Sequence, residues 1–427
     1  MKTHIVSRLF TSAICMFISY ISFSQPNCSA PSTGFTPIND LGTGISPATG
    51  LMGGLYPNGS NYLPSAHKTA GLQMASQVEC LDANGNPDAV NGKIVWLSIG
   101  MSNCTQETQQ FMPLANAFAG KNPKLTLVDG AQGGQTAQVV GSPWNAGYAN
   151  FWTTVGTRLT TAGVTASQVQ VVWFKEANQA NGTPIQQYYD SLVLQIKRCM
   201  NEIKTRFPNA KVCYLASRIS GRYATTTLNP EPYSYWTGWA VKKVIEDQIN
   251  GDVQLTYSGS GAKAPWMSWG IYMWSDGSTP QTSNPNVFFT CPTDYQNDGT
   301  HPSTVGAQKV GGLLLNFFST DSTCTPWFLG TGCPLGTDII DNESDNSMPL
   351  YPNPSTGEFK VGKLEGLKVQ DIHILNLLGE TIWRMSPSER GLGGGISIDI
   401  SENPAGIYFL KIETETGTYF KKLIVSN

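Results

Sequence analysis

Histidine is nearly missing from this chain, with four in 427 residues. Charge is sparse too, at 13% with a net charge of −3, so there is no basic surplus to hold a phosphate backbone, and nucleic acid is excluded as an expected partner. No CxxC pair occurs, and once His4 is set aside with the leader only His67, His301 and His373 could offer imidazole to a metal. Neither a metal nor another cofactor is expected. Beyond the leader no run reaches the roughly 18 apolar residues that a membrane-spanning helix needs, so no transmembrane segment is expected after processing.

The first residues are informative. Lys2 and Arg8 precede an apolar stretch from Leu9 to Phe23, followed by Ser22-Phe23-Ser24 with small residues at −3 and −1. This predicts a signal peptide over residues 1–24, cut after Ser24. Ile14 is too bulky for a lipobox in front of Cys15. Eight of the nine cysteines then remain in an exported chain, an even number that predicts disulfides. Cys324 and Cys333, which flank a short Gly/Pro loop, are the expected local pair.

Residues 25–92 are rich in Gly, Pro, Asn and Ser and read as an extension wrapped on a core, with one helix over His67 to Val78. From Lys93 the pattern changes. Lys93 to Ile99, Lys124 to Val128, Val169 to Phe174 and Lys211 to Ala216 are short apolar, β-branched or aromatic runs, hence buried strands. Between them Gln106 to Phe118 and Ile185 to Phe207 read as helices, and Tyr235 to Ile249 and Val305 to Phe318 follow. Alternation of this kind predicts an α/β core with a parallel sheet over residues 93–328. Residues 329–347 are small, acidic and aperiodic, a linker. Residues 348–427 show five alternating short strands, Gly357 to Val361, Asp371 to Asn376, Ile396 to Ile400, Ile407 to Glu413 and Tyr419 to Val425, which predict a small β-sandwich.

The first core strand runs into Gly100-Met101-Ser102-Asn103 and then a helix, a turn that places Ser102 at the carboxyl edge of the sheet, where open α/β folds keep their sites. A strand-end serine is common as a helix cap and needs a base before it is a nucleophile. Only His67 and His301 could supply one to the core. His301 stands in Asp298-Gly299-Thr300-His301-Pro302-Ser303, where a carboxylate three residues earlier can accept the ring N–H while the other ring nitrogen faces a nucleophile.

Four blocks in order, IGMSN with Ser102, DGAQGGQT with Gly134, VVWFKEANQ with Asn178 and DGTHPS with Asp298 and His301, resemble the SGNH (GDSL-like) hydrolases over roughly residues 93–320. The resemblance implies a flavodoxin-like three-layer α/β/α core. It also implies a Ser102, His301 and Asp298 triad and an oxyanion hole from the N–H groups of Ser102 and Gly134 with the Asn178 amide, Gly133 competing with Gly134. Met101 and Glu176-Ala177 depart from the usual Asp and Gly of the family. LYPNPSTGEFKV, ILNLLGETIW, PAGIYFLKIET and KKLIV resemble the C-terminal sorting domain of the Bacteroidetes type IX secretion system. That resemblance implies the type IX machinery as a partner, with passage through the periplasm and outer membrane to a secreted or surface-attached state.

Two aromatic clusters, Pro232 to Trp239 and Pro265 to Trp274, offer rings that could stack on sugars or pack as core. Trp266, Trp269 and Trp274, with Glu176, are therefore candidate substrate contacts. VVWFKEAN is similar to the Trp and Glu-x-Asn pattern of carbohydrate esterases, which implies an acetylated glycan as the ester substrate. A lipid, aryl or polyester substrate on the same triad is an alternative. A glycan-binding protein without turnover is another, and a glycosidase built on Glu176, Asp129 and Asp298 a third.

Overall fold

The computed structural model describes residues 25–180, 182–330, 332–333, 350–362, 369–376, 380–385, 396–414 and 417–426. The expected signal peptide and most of the expected linker lie outside the described residues. The chain divides into two compact units, Met1–Pro334 and Leu335–Asn427.

In the first unit a short helix α1 (Ile38–Leu41) and α2 (Ser65–Ser76) precede β1 (Ile94–Gly100), α3 (Ser102–Ala117) and β2 (Leu125–Asp129). Then come α4 (Ala137–Gly141), α5 (Tyr148–Thr161), β3 (Val169–Lys175), α6 (Ile185–Arg206) and β4 (Val212–Leu215). The unit closes with α7 (Tyr233–Ile249), β5 (Trp266–Trp269), α8 (Thr304–Thr320) and α9 (Thr325–Phe328). The five strands pair in parallel in the order β2-β1-β3-β4-β5, the flavodoxin-like order.

Alternation along each strand divides the core in two. In β1, Val95, Leu97 and Ile99 face α5, α6 and α7. Ile94 and Trp96 face Phe111 of α3, Leu314 and Phe318 of α8 and Trp327 of α9. Every residue of β1 is buried, as a strand covered on both faces requires. The fold is a three-layer α/β/α sandwich.

Strands β1 to β4 match the sequence reading, whereas β5 falls inside an aromatic run that had no strand signature. Helix α3 starts at Ser102, four residues earlier than expected, and α5 was not anticipated. Residues 25–92 run along the core, with Ile38, Tyr56 and His67 buried.

Two disulfides fasten this wrap, Cys28–Cys291 and Cys80–Cys333, each with Cα atoms 5.4 Å apart. This corrects the expected Cys324–Cys333 pair. Cys324 points into the core beside Tyr214 as a buried free thiol, whereas Cys333 meets the extension at Cys80. Proximity in sequence favoured the wrong partner because both bridges span more than 250 residues, at separations of 263 and 253.

The second unit contains β6 (Leu350–Tyr351), β7 (Glu358–Val361), β8 (Val369–Leu375), β9 (Thr381–Met385), β10 (Ile396–Asp399), β11 (Gly406–Thr414) and β12 (Gly417–Val425). They form antiparallel sheets β10-β7-β6 and β12-β11-β8-β9. Phe359, Ile396 and Ile398 of one sheet share a core with Ile372, Leu410 and Leu423 of the other, which makes a small sandwich.

Beneath the carboxyl edge of the main sheet, Lys175 Nζ lies 2.6 and 2.8 Å from the carboxylate oxygens of Glu107, and both side chains are fully buried. Burial pushes the Glu107 carboxyl up and the Lys175 ammonium down, and their mutual contact opposes both shifts. Lys175→Met alone should cost about 3–5 kcal/mol, since it strands a buried carboxylate, and Glu107→Gln/Lys175→Met should cost clearly less. Denaturant midpoints of the three proteins check this.

Candidate active site

Ser102 is the first residue of α3, a 16-residue helix, and follows β1 without an intervening loop. That turn has no room for a side chain at Gly100, whose Cβ would stand 2.3 Å from the Lys175 carbonyl oxygen. The amide of Met101 donates to the same oxygen at 3.2 Å, so the end of β3 fixes the backbone just before the serine.

His301 arrives on the loop before α8. Ser102 Oγ is 2.6 Å from His301 Nε2, and His301 Nδ1 is 2.5 Å from Asp298 Oδ2. With the ring proton on Nδ1 shared with the carboxylate, Nε2 accepts from the serine hydroxyl. Asp298 Oδ1 also accepts the backbone N–H groups of Thr300 and His301, each at 3.0 Å. Burial raises the Asp298 carboxyl, but the His301 ring and these two amides outweigh it and hold the group at about 2.

His67, the other histidine open to the core, is nowhere near. It is buried with Nε2 2.8 Å from the Met267 carbonyl oxygen and its ring stacked on Trp266.

A cleft of about 140 Å³ opens beside the serine, lined in part by Met101, Gly134, Asn178, Arg218, Asn229 and His301. Gly134 has φ +74°, a backbone that glycine adopts at little cost. Gly133 is also close, its Cβ position 3.8 Å from Ser102 Cβ. Among the described residues, the backbone N–H groups of Ser102, Gly133 and Gly134 have no acceptor in the protein. Gln132 N–H donates to the Gly100 carbonyl at 2.9 Å, which ties this glycine turn to the serine turn. Asn178 is held from three sides: its Nδ2 donates to Gln195, its Oδ1 accepts Gln138 N–H at 3.3 Å, and its carbonyl accepts Asn229 Nδ2 at 2.5 Å.

The structure does not bring the other candidates to this cleft. Trp266, Trp269 and Trp274 are buried, and each indole N–H is spent inside the protein, on His67 O, Leu55 O and Glu231 respectively. They are core rather than a substrate wall. Glu176 is buried with Oε2 on the Ala177 amide, and burial pushes its carboxyl far up. Asp129 accepts from Ser98 and Thr105, and Arg158 lies nearby. None of Glu176, Asp129 and Asp298 lines the cleft, so the carboxylate pair a glycosidase needs is not assembled there.

Sequence reasoning missed Arg218 and Asn103. Both are buried, and both donate to the Thr300 carbonyl, from Arg218 Nη2 at 3.1 Å and Asn103 Nδ2 at 3.3 Å. Arg218 follows β4 at the carboxyl edge, the position that could have marked it.

No curated protein sequence matches the chain. Among solved structures, a Slackia heliotrinireducens protein assigned to the SGNH hydrolases is 14% identical, covering 53% of this chain and 99% of its own, with a TM-score of 0.28. A carbohydrate esterase of family 3 from Talaromyces cellulolyticus is also 14% identical, covering 52% and 95%, with a TM-score of 0.29. The periplasmic domain of a lipopolysaccharide acetyltransferase from Salmonella ser. Paratyphi A is 14% identical, covering 59% and 94%, also at 0.29. Residues 349–426 match the secretion system C-terminal sorting domain. The sorting domain marks the chain for export to the cell surface or medium of a Bacteroidetes-type bacterium. No helix among the described residues is long and apolar enough to cross a membrane. Within the sorting domain, Asp371, His373 and Glu413 come together, but Arg384 grips Asp371 and Lys411 pairs with Glu413.

Two outcomes follow from the loop of His301. Gly299 has φ +64°, and its Cβ would fall 1.8 Å from the Tyr223 carbonyl oxygen. Gly299→Ala should lose at least about 1–2 kcal/mol from the left-handed backbone alone, more from the clash, and displace Asp298 and His301; thermal melts and turnover check this. Because the folded Asp298 carboxyl is depressed, its contribution to stability is present above the unfolded value of about 3.9 and lost as pH falls from there to about 2. Asp298→Asn should therefore flatten the fall in stability over that window, read from denaturant midpoints at several pH values.

Proposed function

We propose that the first unit is a serine ester hydrolase that removes O-acetyl groups from a polysaccharide or other glycan. The observation that carries this reading is the unbroken chain of hydrogen bonds from Ser102 through His301 to Asp298, at the mouth of a small cleft.

The chemistry runs as follows. Ser102 Oγ attacks the acetyl carbonyl carbon while its proton passes to His301 Nε2, and Asp298 stabilises the imidazolium formed. Negative charge develops on the carbonyl oxygen. The unengaged N–H groups of Ser102 and Gly134, the amide of Asn178 and the N-terminal end of α3 would hold that charge. As the tetrahedral intermediate collapses, the ester C–O bond breaks and Nε2 returns its proton to the leaving sugar hydroxyl. Water then attacks the acetyl-enzyme with His301 as base, releasing acetate and restoring Ser102.

Cleft size favours a short acyl group. A volume of about 140 Å³ lies well below the roughly 300–1,000 Å³ of pockets that take drug-sized ligands. A long fatty chain would find no room there. Export through the sorting domain suits a glycan outside the cell.

The test is hydrolysis of p-nitrophenyl acetate and acetate release from acetylated glycans by the mature protein. Ser102→Ala and His301→Ala should each lower turnover by about 10⁴-fold or more. Asn178→Ala should lower kcat by roughly 10²–10³-fold if its amide holds the oxyanion. Absence of activity on every acetyl ester, with glycan binding intact in all variants, would overturn the esterase reading in favour of a binding protein.

A further inference from the structure

A cavity larger than the cleft at Ser102 lies elsewhere in the first unit. A groove of about 650 Å³ lies between the wrapped extension, the residues just after β5 and the outer face of α8. It shares no lining residue with the cleft. Its size falls inside the range of ligand pockets.

The lining has a distinct chemistry. Leu55, Ile271, Leu313 and Phe317 supply apolar surface. Around them stand the amides of Asn284, Asn286 and Asn316, whose side chains make no hydrogen bond among the described residues. Tyr62 lines the groove with 84% of its surface exposed, so its ring is open to a ligand. No lysine, arginine or histidine lines it. The one carboxylate, Asp321, already accepts Thr323 N–H and Oγ–H, at 2.8 and 2.6 Å.

We propose that this groove is a second binding site, for a neutral glycan. A sugar presents apolar C–H faces and hydroxyls that both donate and accept. An exposed ring and an apolar floor match the first, and free carboxamides, each with donors and an acceptor, match the second. An anionic ligand would find no opposite charge in the lining, which sets nucleic acids and acidic polymers aside. The groove would hold the chain of a glycan on the enzyme while a different stretch of it enters the cleft, raising the local concentration of substituents near Ser102. The site itself does not require Ser102 to be a nucleophile.

Tyr62→Ala and Asn284→Ala/Asn286→Ala are the variants of choice, since Tyr62 is exposed and neither asparagine side chain has a protein partner. Retention of the mature protein in native gels containing soluble xylan, glucomannan or β-glucan measures binding, and p-nitrophenyl acetate turnover is read on the same samples. At least one polymer should retain the wild type, and Tyr62→Ala should weaken retention roughly tenfold, the equivalent of one lost stacking contact. The asparagine variant should weaken it as well. Turnover of the small ester should be unchanged in both, and raised salt should leave retention intact. Lack of retention by all three polymers, equal retention of the variants and wild type, or retention abolished by salt would each overturn the proposal. Retention and turnover fail independently, so a lost esterase reading is distinguishable from a lost glycan site.

Discussion

Lys175 is the residue on which the candidate site is built. As the last residue of β3, it offers its carbonyl to the Met101 amide and sets the backbone that leads into Ser102. Its ammonium reaches under the same turn to Glu107, five residues along α3 from the serine. One side chain and one carbonyl thus fix both the entry and the direction of the helix that presents Ser102. Such a pair is costly to bury, and replacing both charges with apolar groups can stabilise a fold. Its role here is best understood as geometric: each charge hydrogen-bonds the other at 2.6 to 2.8 Å, which favours one arrangement of turn and helix.

His301 reaches Ser102 from 199 residues away, and the loop that carries it is held just as firmly. Gly299 passes so close to the Tyr223 carbonyl that no side chain fits, and Thr225 N–H closes on the Asp298 carbonyl at 2.9 Å. Arg218 and Asn103 both grip the carbonyl of Thr300, beside His301. Asn103 is the neighbour of Ser102 itself, so the two halves of the site are linked by backbone and side-chain hydrogen bonds as well as by the serine–histidine contact. The Cys28–Cys291 bridge anchors the segment leading into this loop to the wrapped extension. Rigidity of this kind holds a hydroxyl and an imidazole 2.6 Å apart.

Much of this was legible in the sequence, for physical reasons. Strands β1, β3 and β4 announce themselves because a parallel strand covered on both faces must be apolar throughout. The place of Ser102 between strand and helix, and the scarcity of histidine, single out the two side chains that meet at 2.6 Å. What stayed hidden depends on contacts distant in sequence. The partners of Cys80 and Cys28 lie more than 250 residues away, and nothing local marks them. The tryptophans of β5 looked like a sugar platform because aromatic density is the same for an exposed wall and a packed core, and only burial separates the two. Lys175, Glu107 and Arg218 are charged residues at the edge of apolar elements, an irregularity that could have been read as a buried network but has no period or spacing to identify it.

The central claim is that Ser102, activated by His301, is the nucleophile of this chain. A fluorophosphonate reacts with an activated serine and leaves a covalent adduct whose position peptide mass spectrometry can read. The account predicts one adduct, on the peptide containing Ser102, formed by the native protein, abolished by prior unfolding and strongly slowed in His301→Ala. An adduct on a different serine, or equal labelling of Ser102 in the native protein and in His301→Ala, would contradict it.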